Sequence, residues 1–358
     1  MRFYLILLLL FHGTVSAQVS ISGKVLANES GEPIVGASVY INNSTIGTTT
    51  GEKGEYRLSN ILPGTYDIII SHISYAPLMH RVEIKSTDLR ISFRLDSKVK
   101  LMRDILIMTR EQRKAKMKIF REQFIGITLA ADRSEIINEE DVLFEAGDEN
   151  TSFKAFSEVP LVIINKELGY RINFELQEFY FDQLTGRTYF YGFARYEELE
   201  KGNHDKWRKK REKYYLGSTL HLFHSLSAGN AEAQGYIFFK LSEFHPGEFN
   251  DAPKAMLKSH SDNLVFMDTV LHKKYLDWKG DIVVQYDKDP YYKFDLVKKV
   301  MMMGNLPHGI RTTIRMLESP AFLDANGILE NPLAVQYSGF WSYERLANML
   351  PVNYKPDR

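Results

Sequence analysis

Val19-Ser20-Ile21-Ser22-Gly23-Lys24-Val25 and, further along, Leu89-Arg90-Ile91-Ser92-Phe93-Arg94-Leu95-Asp96 decide the fold of the first part of the chain. Val19, Ile21 and Val25 share one parity and Ser20, Ser22 and Lys24 the other. Leu89, Ile91, Phe93 and Leu95 likewise face one side, with charged or polar partners between them. A period of two puts the apolar set on one face of a strand and the polar set in water. Turn signals divide the intervening sequence: Asn28, Gly31 and Pro33, then Gly47 to Gly54, then Leu62-Pro63-Gly64. They isolate Val35 to Ile41, Tyr56 to Leu58, and a run in which Tyr66, Ile68 and Ile70 alternate with Thr65, Asp67 and Ile69. About seven short strands in about 80 residues predict a small β-sandwich.

The motifs Ile21-Ser22-Gly23-Lys24-Val25, Gly31-Glu32-Pro33-Ile34-Val35-Gly36-Ala37-Ser38-Val39, Gly54-Glu55-Tyr56 and Leu62-Pro63-Gly64-Thr65-Tyr66 follow one another in this order. Over residues 18–96 the chain resembles the carboxypeptidase regulatory-like domain. The resemblance implies a transthyretin-like, seven-stranded β-sandwich, an accessory module of exported proteins that also precedes the plug of many TonB-dependent receptors. It carries no catalytic residues to transfer. Ser74 before Tyr75 departs from the glycine common there. A receptor barrel of ~22 strands with its plug cannot be built from the roughly 260 residues that remain. A zinc carboxypeptidase is also disfavoured. His245-Pro246-Gly247-Glu248 holds a His-x-x-Glu pair, but Pro246 and Gly247 place it in a turn, and too little chain follows it for that family's catalytic domain.

Met1-Arg2, the apolar stretch Phe3 to Phe11 and the small residues Val15-Ser16-Ala17 form a signal peptide over residues 1–17, with cleavage before Gln18. The apolar run is far shorter than the ~20 residues of a spanning helix, and no later segment is apolar for that length. The expectation is an exported protein of the cell envelope, in the periplasm or associated with the outer membrane of a Gram-negative bacterium. No membrane-spanning segment is expected after cleavage. The chain has no cysteine, which excludes thiolate zinc sites, iron–sulfur clusters and cysteine nucleophiles. Its 45 basic and 45 acidic residues exclude a polycationic nucleic-acid binder.

Residues 97–160 read as a connector. An amphipathic helix within 97–125 places Met117, Phe120 and Phe124 on one stripe and a basic face on the other, suited to solvent or to anionic lipid headgroups. Glu135 to Glu149 is acidic and reads as a loop. From 161 to 358 the pattern is an α+β region with antiparallel strands, so the fold class is mostly β with some α. Strands are expected at Leu161 to Ile164, from Tyr170 onward with a bulge near Glu178, through a turn at Leu184-Thr185-Gly186 into the aromatic strand Arg187 to Tyr196. Further strands are expected at Tyr236 to Leu241, Leu264 to Met267, Ile282 to Tyr286 and Ile310 to Leu317, with a hairpin turn at Asn326-Gly327. Helices are expected over His204 to Ala228, broken at Gly217-Ser218, and over Tyr343 to Leu350 behind a Ser342 cap.

The candidate partner surface is Lys206, Trp207, Arg208, Lys209, Lys210 and Arg211. Basic residues beside aromatics suit an anionic glycan, a lipid headgroup or an acidic envelope protein; zero net charge and export count against nucleic acid. The plainer reading packs Trp207 inward and leaves the lysines solvated. His221 and His224, three apart on a helix, have metal-ligand spacing, yet Phe223 and Leu226 place that helix in the core. Asp287-Lys288-Asp289-Pro290 lacks the ligand number of a calcium loop. No His-Glu-x-x-His, Gly-x-Ser-x-Gly or P-loop motif occurs. No catalytic, cofactor or metal residue is assigned. The expected function is a non-catalytic envelope protein that binds or organises a partner, with an exported hydrolase of peptide or glycan, using carboxylates, as the alternative.

Overall fold

The computed structural model describes residues 19–98, 106–147, 151–241, 256–288, 311–324 and 326–356. The signal-peptide stretch, His245 to Glu248 and the Asp289-Pro290 half of the acidic corner lie outside the described residues.

The first body is a β-sandwich. Strands β1 (Val19–Ala27), β2 (Ser38–Ile41), β3 (Gly47–Thr49), β4 (Glu55–Ile61), β5 (Gly64–His72), β6 (Tyr75–Ile84), β7 (Leu89–Arg90) and β8 (Phe93–Leu95) make two sheets. One has the order β4-β1-β7 with β8 also on β1, the other β3-β2-β5-β6. Ile21, Val25, Val39, Ile41, Leu58, Ile68, Ile70, Phe93 and Leu95 meet between them, as the alternation requires. β7 and β8 are halves of one broken strand, both parallel to β1, which makes the count seven. The break sits over Gly23: a Cβ there would lie 1.7 Å from the Ile91 carbonyl oxygen, so only glycine admits the approach. The β5–β6 hairpin closes through Ile73-Ser74 without a glycine. Neither residue has positive φ, and His72 Nδ1 accepts the Ser74 N–H at 3.2 Å.

The second body contains α1 (Arg110–Phe124), α2 (Leu129–Asp132), β9 (Ser134–Ile136), β10 (Leu143–Ala146), β11 (Ser152–Phe156), β12 (Leu161–Asn165), β13 (Tyr170–Asp182) and β14 (Thr188–Glu198). The strands form an antiparallel sheet of order β10-β11-β13-β12-β9, with β14 along the other side of β13. The register shift between Leu176 and Glu178 is the expected bulge; it turns Phe179 and Phe181 back to the core. α1 begins at a Thr109–Gln112 capping box and lays Met117, Phe120 and Phe124 on the sheet, where Phe120 meets Phe179 edge-on at 4.9 Å. Two expectations are corrected here. The stretch 97–160 is not merely a connector, since α1, β10 and β11 belong to the same core as β12 and β13. The acidic stretch is not simply a loop over its described residues: Phe144 and Ile136 alternate with Glu145 and Glu135, which take the outer face of short strands, and Glu139 to Asp141 form a 3-10 turn between them.

Beyond it, α3 (His204–Tyr215) and α4 (Thr219–Ala228) break at Gly217-Ser218 as expected, with Ser218 capping α4. Then come β15 (Tyr236–Leu241), β16 (Met256–Ser259), β17 (Val265–Asp268), β18 (Lys273–Leu276), β19 (Asp281–Tyr286), β20 (Arg311–Met316), β21 (Ala321–Leu323) and β22 (Val335–Gly339). They form an antiparallel five-stranded sheet, β16-β15-β19-β20-β22, and a three-stranded one, β17-β18-β21. The expected helix over Tyr343 to Leu350 is absent; two 3-10 turns, Phe340–Tyr343 and Leu346–Asn348, take its place. The backbone there is committed elsewhere. Trp341 N–H donates to Thr312 Oγ1, Ala347 N–H to Ile125 O, and Asn165 Nδ2 to Ala347 O. An α-helix would surrender these bonds. Ser342 caps no helix, since its hydroxyl donates to Gly339 O, and Met349 points to solvent while Leu346 is buried.

Candidate ligand-binding site

Alternation along β13 and β14 leaves a second face, opposite the phenylalanine core. Cross-strand pairs on that face are Asn173 with Arg195, Glu175 with Phe193, Glu178 with Tyr191, and Tyr180 with Tyr189. The sandwich docks on one end of it. Tyr40 and Ile69, on the outward side of the sandwich's second sheet, bury Phe193 between them. The Tyr40 hydroxyl donates to Glu175 Oε1 at 2.8 Å, and Arg195 donates to Ser38 Oγ at 2.9 Å. Asn42 Oδ1 accepts from Ala194 N–H, and Ser44 O accepts from Tyr196 N–H, so the β2–β3 turn caps the edge of β14. A further contact comes from a later part of the chain, where Asn326 Nδ2 donates to Pro63 O and to the Tyr66 hydroxyl.

Beside this junction lies a cleft of about 750 Å³. The β5–β6 hairpin supplies His72, Ile73, Tyr75 and Pro77, the β11–β12 loop supplies Ser157 to Pro160, and β13 supplies Glu175 to Gln177 as the floor. Burial pushes the Glu175 carboxyl above the usual carboxylate range, against the bonds from Ser71 and Tyr40 and the charge of Lys98, which all favour its ionised form. Burial also drives the Tyr40 hydroxyl far up, reinforced by the Glu175 charge, so it stays a donor. Lys98 Nζ is anchored on Glu158 O at 2.7 Å. The floor is therefore a fixed polar constellation under walls held by two separate bodies.

On the far side of Glu175 the same face is open. Tyr189 is 43% and Tyr191 47% exposed. The Tyr189 ring stacks on Tyr180 at 5.2 Å with an interplanar angle of 12°, and its hydroxyl donates to Glu178 Oε1 at 2.7 Å. A wider depression of about 1020 Å³ runs along α1, and two of its arginines are already engaged. Arg113 donates to the carbonyls of Val142, Glu139 and Glu140, and Arg121 pairs with Glu139 at 3.4 Å.

Comparison with known proteins bears on the first body. Residues 21–107 match the family model of the CarboxypepD_reg-like domain. The chain carries a carboxypeptidase regulatory-like domain. Among solved structures, a type II cohesin–X-dockerin complex from Acetivibrio cellulolyticus is similar at 22% identity, over 21% of this chain and 52% of that one, with a TM-score of 0.19. A putative carbohydrate binding protein from Bacteroides uniformis is similar at 13% identity, over 42% and 55% of the two chains, with a TM-score of 0.20. Catechol 1,2-dioxygenase from Acinetobacter sp. ADP1 is similar at 9%, over 25% and 55%, with a TM-score of 0.21. The chain thus spans about half the length of these solved chains. No curated protein matches.

The basic cluster lies away from the regulatory-like domain's cleft, and half of it is structural. Trp207 packs on Gly169, where a Cβ would meet the indole at 2.1 Å, and its Nε1 donates to Lys166 O at 3.1 Å. The Arg211 guanidinium stacks 3.9 Å above Tyr170 and donates to Leu168 O, Gly169 O and Glu198. Lys210 is bonded to the buried Glu167. Trp207, Lys210 and Arg211 are therefore corrected from partner-facing residues to anchors of α3; Lys206, Arg208 and Lys209 remain exposed. His221 Nδ1 accepts from Gly217 N–H at 3.0 Å and meets the Tyr236 hydroxyl at 3.1 Å. His224 Nδ1 meets the Tyr215 hydroxyl at 2.9 Å, and burial lowers its pKa to about 4. Neither pairs with the other as ligands, and among the described residues no group of three His, Asp or Glu side chains gathers for a metal. No helix among them is long and apolar enough to cross a membrane. The sequence does not single out Tyr189 and Tyr191, because aromatic residues occupy both faces of Arg187 to Tyr196, and it shows Glu175 only as an outward residue of its strand, since the Tyr40 that covers it is 135 residues away.

Proposed function

We propose that this is a non-catalytic protein of the cell envelope, periplasmic or outer-membrane-associated in a Gram-negative bacterium, that binds a surface partner where the regulatory-like domain meets β13 and β14. The observation that carries this reading is the junction cleft. Its floor is polar and pre-organised around Glu175, and its walls are held in place by Tyr40, Ile69 and Phe193. Binding sites are concave, formed in advance and frequently set between domains. The accessory nature of the regulatory-like module and the N-terminal Met1 to Ala17 pattern support an envelope role.

An exported hydrolase is the second reading. It is favoured by one feature, a carboxyl in a cleft held above its ordinary range, as a general acid requires. The test separates the two. The chain from Gln18 onward is incubated with envelope extract and, in parallel, with peptide, ester and glycan substrates. Retention of a partner by the wild type, reduced by Ile73→Asp at the exposed rim of the cleft, is the expected outcome. Turnover that Glu175→Gln abolishes while the melting temperature holds would overturn the binding reading.

A further inference from the structure

We propose that the open half of the β13–β14 face is a glycan shelf, on which a neutral or amino-sugar polysaccharide stacks its rings against Tyr189 and Tyr191. The inference rests on the binding reading above and gives that site its ligand class. The first ground is exposure. Phe174, Phe179, Phe181, Phe193 and Tyr196 of these two strands are buried, whereas Tyr189 and Tyr191, two residues apart on one face, stand 43% and 47% open. Neighbouring exposed aromatics mark contact surfaces, because their area is large and their cost in conformational entropy is low.

The second ground is pre-organisation. Tyr189 is held flat against Tyr180 at 12° and tied to Glu178 through its hydroxyl; Tyr191 leans edge-on against Phe193 at 5.6 Å. Rings already fixed lose little freedom when a ligand arrives. Tyr189 and Tyr191 lie about 6.6 Å apart at 3.3 Å per residue, along the direction in which a chain of linked sugars would run.

The third ground is chemistry. A pyranose presents C–H groups on its faces and hydroxyls around its rim, so it asks for an aromatic face with hydrogen-bond acceptors beside it. The face of a ring carries negative quadrupole density that attracts C–H groups. Glu178, across the ladder from Tyr191, has acceptor positions beyond the one Tyr189 uses. Glu178 beside the shelf repels phosphates and uronates, which disfavours nucleic acid and acidic polysaccharide; Lys154 stands opposite Tyr180 on the neighbouring strand β11. From Tyr189 the shelf runs back to the Glu175 pair, so a long chain would pass from the open rings into the cleft.

The experiment is depletion of the chain from Gln18 onward by insoluble polymers: chitin, cellulose and peptidoglycan sacculi, with cross-linked polygalacturonate as the acidic comparison. Retention on at least one of the first three is expected. The Tyr189→Ala, Tyr191→Ala variant should bind roughly tenfold or more weakly with its circular dichroism unchanged, and the matching double phenylalanine variant within about threefold of wild type, since stacking survives. Undiminished binding by the alanine variant, preference for polygalacturonate, or no retention of wild type on any polymer would overturn the shelf. If wild type still captures an envelope partner sensitive to Ile73→Asp while ignoring all polymers, the shelf falls and the partner-binding reading stands.

Discussion

His224 and Glu175 are buried titratable groups whose effects on stability have opposite signs. His224 has its pKa lowered from 6.5 to about 4 by burial, with the Lys355 charge adding to the effect. The unfolded chain then binds more protons than the folded one between those values, so its contribution is full above pH 6.5 and is lost as pH falls toward 4. The loss is on the order of 3 kcal/mol. Glu175 has a raised folded pKa, so stability is full below its unfolded value of 4.5 and is lost as pH rises through the folded one. Chemical denaturation across pH 4 to 8 should therefore show a shallower acid limb in His224→Gln. Glu175→Gln, which still accepts from Tyr40, should remove the decline above 4.5. An unchanged profile in both would mean that neither group carries the dependence. Of these residues, sequence spacing brought only His224 into view, and its apolar neighbours favoured a core histidine over a ligand; the Tyr215 hydroxyl that occupies the ring nitrogen lies nine residues back, one helix away.

Among elements, α3 shows how a charge run divides between packing and surface. Half of its twelve residues are Lys or Arg, yet Arg211 sits 7% exposed with its guanidinium donating to two carbonyls and a carboxylate and stacked on Tyr170. Arg211→Ala should cost about 3 kcal/mol, because carbonyls and ring lose a buried partner together, and Lys209→Ala should stay within about 0.5 kcal/mol. Urea midpoints of the two variants check the contrast; equal effects would return the run to a uniformly solvated face. The alternation of β13 and its bulge were legible because each rests on local periodicity. The C-terminal segment misled for the opposite reason. Leu346, Met349 and Leu350 have helical spacing, but Ile125 and Asn165 hold its backbone in a non-helical course.

At the scale of the molecule, the sandwich is joined to the second body by Tyr40–Glu175, Arg195–Ser38 and the apolar contact of Ile69 with Phe193, and to later parts of the chain by Asn326–Tyr66 and Asn353–Thr45. The chain is thus bound to itself through several surfaces besides the covalent link near residue 98. A single proteolytic nick between Ser97 and Arg110 should leave both parts in one peak on size exclusion. The same nick in an Ile69→Ala, Phe193→Ala variant should release them, since the apolar centre of the junction is gone. Separation of the nicked wild type would show the docking to be too weak to position a cleft.

By itself the sequence determined most strands of the sandwich, though not β3 within the Gly47 to Gly54 turn stretch or β6, and with them its regulatory-like motifs, the bulged hairpin of β13 and β14 and the apolar stripe of α1. Each follows from a pattern of period 2 or 3.6, or from a turn residue, over a handful of neighbours. Only the tertiary structure decided that Ile69 is covered rather than wet, that half the basic cluster is inward, that the last segment is not a helix, and that Tyr189 and Tyr191 face open water beside a cleft. Those outcomes depend on which distant group arrives to bury a side chain or satisfy a backbone bond: Phe193 against Ile69, Tyr170 beneath Arg211, Asn165 against Ala347. Local periodicity holds no record of such partners, because a buried polar group is settled by geometry across the fold rather than along the chain.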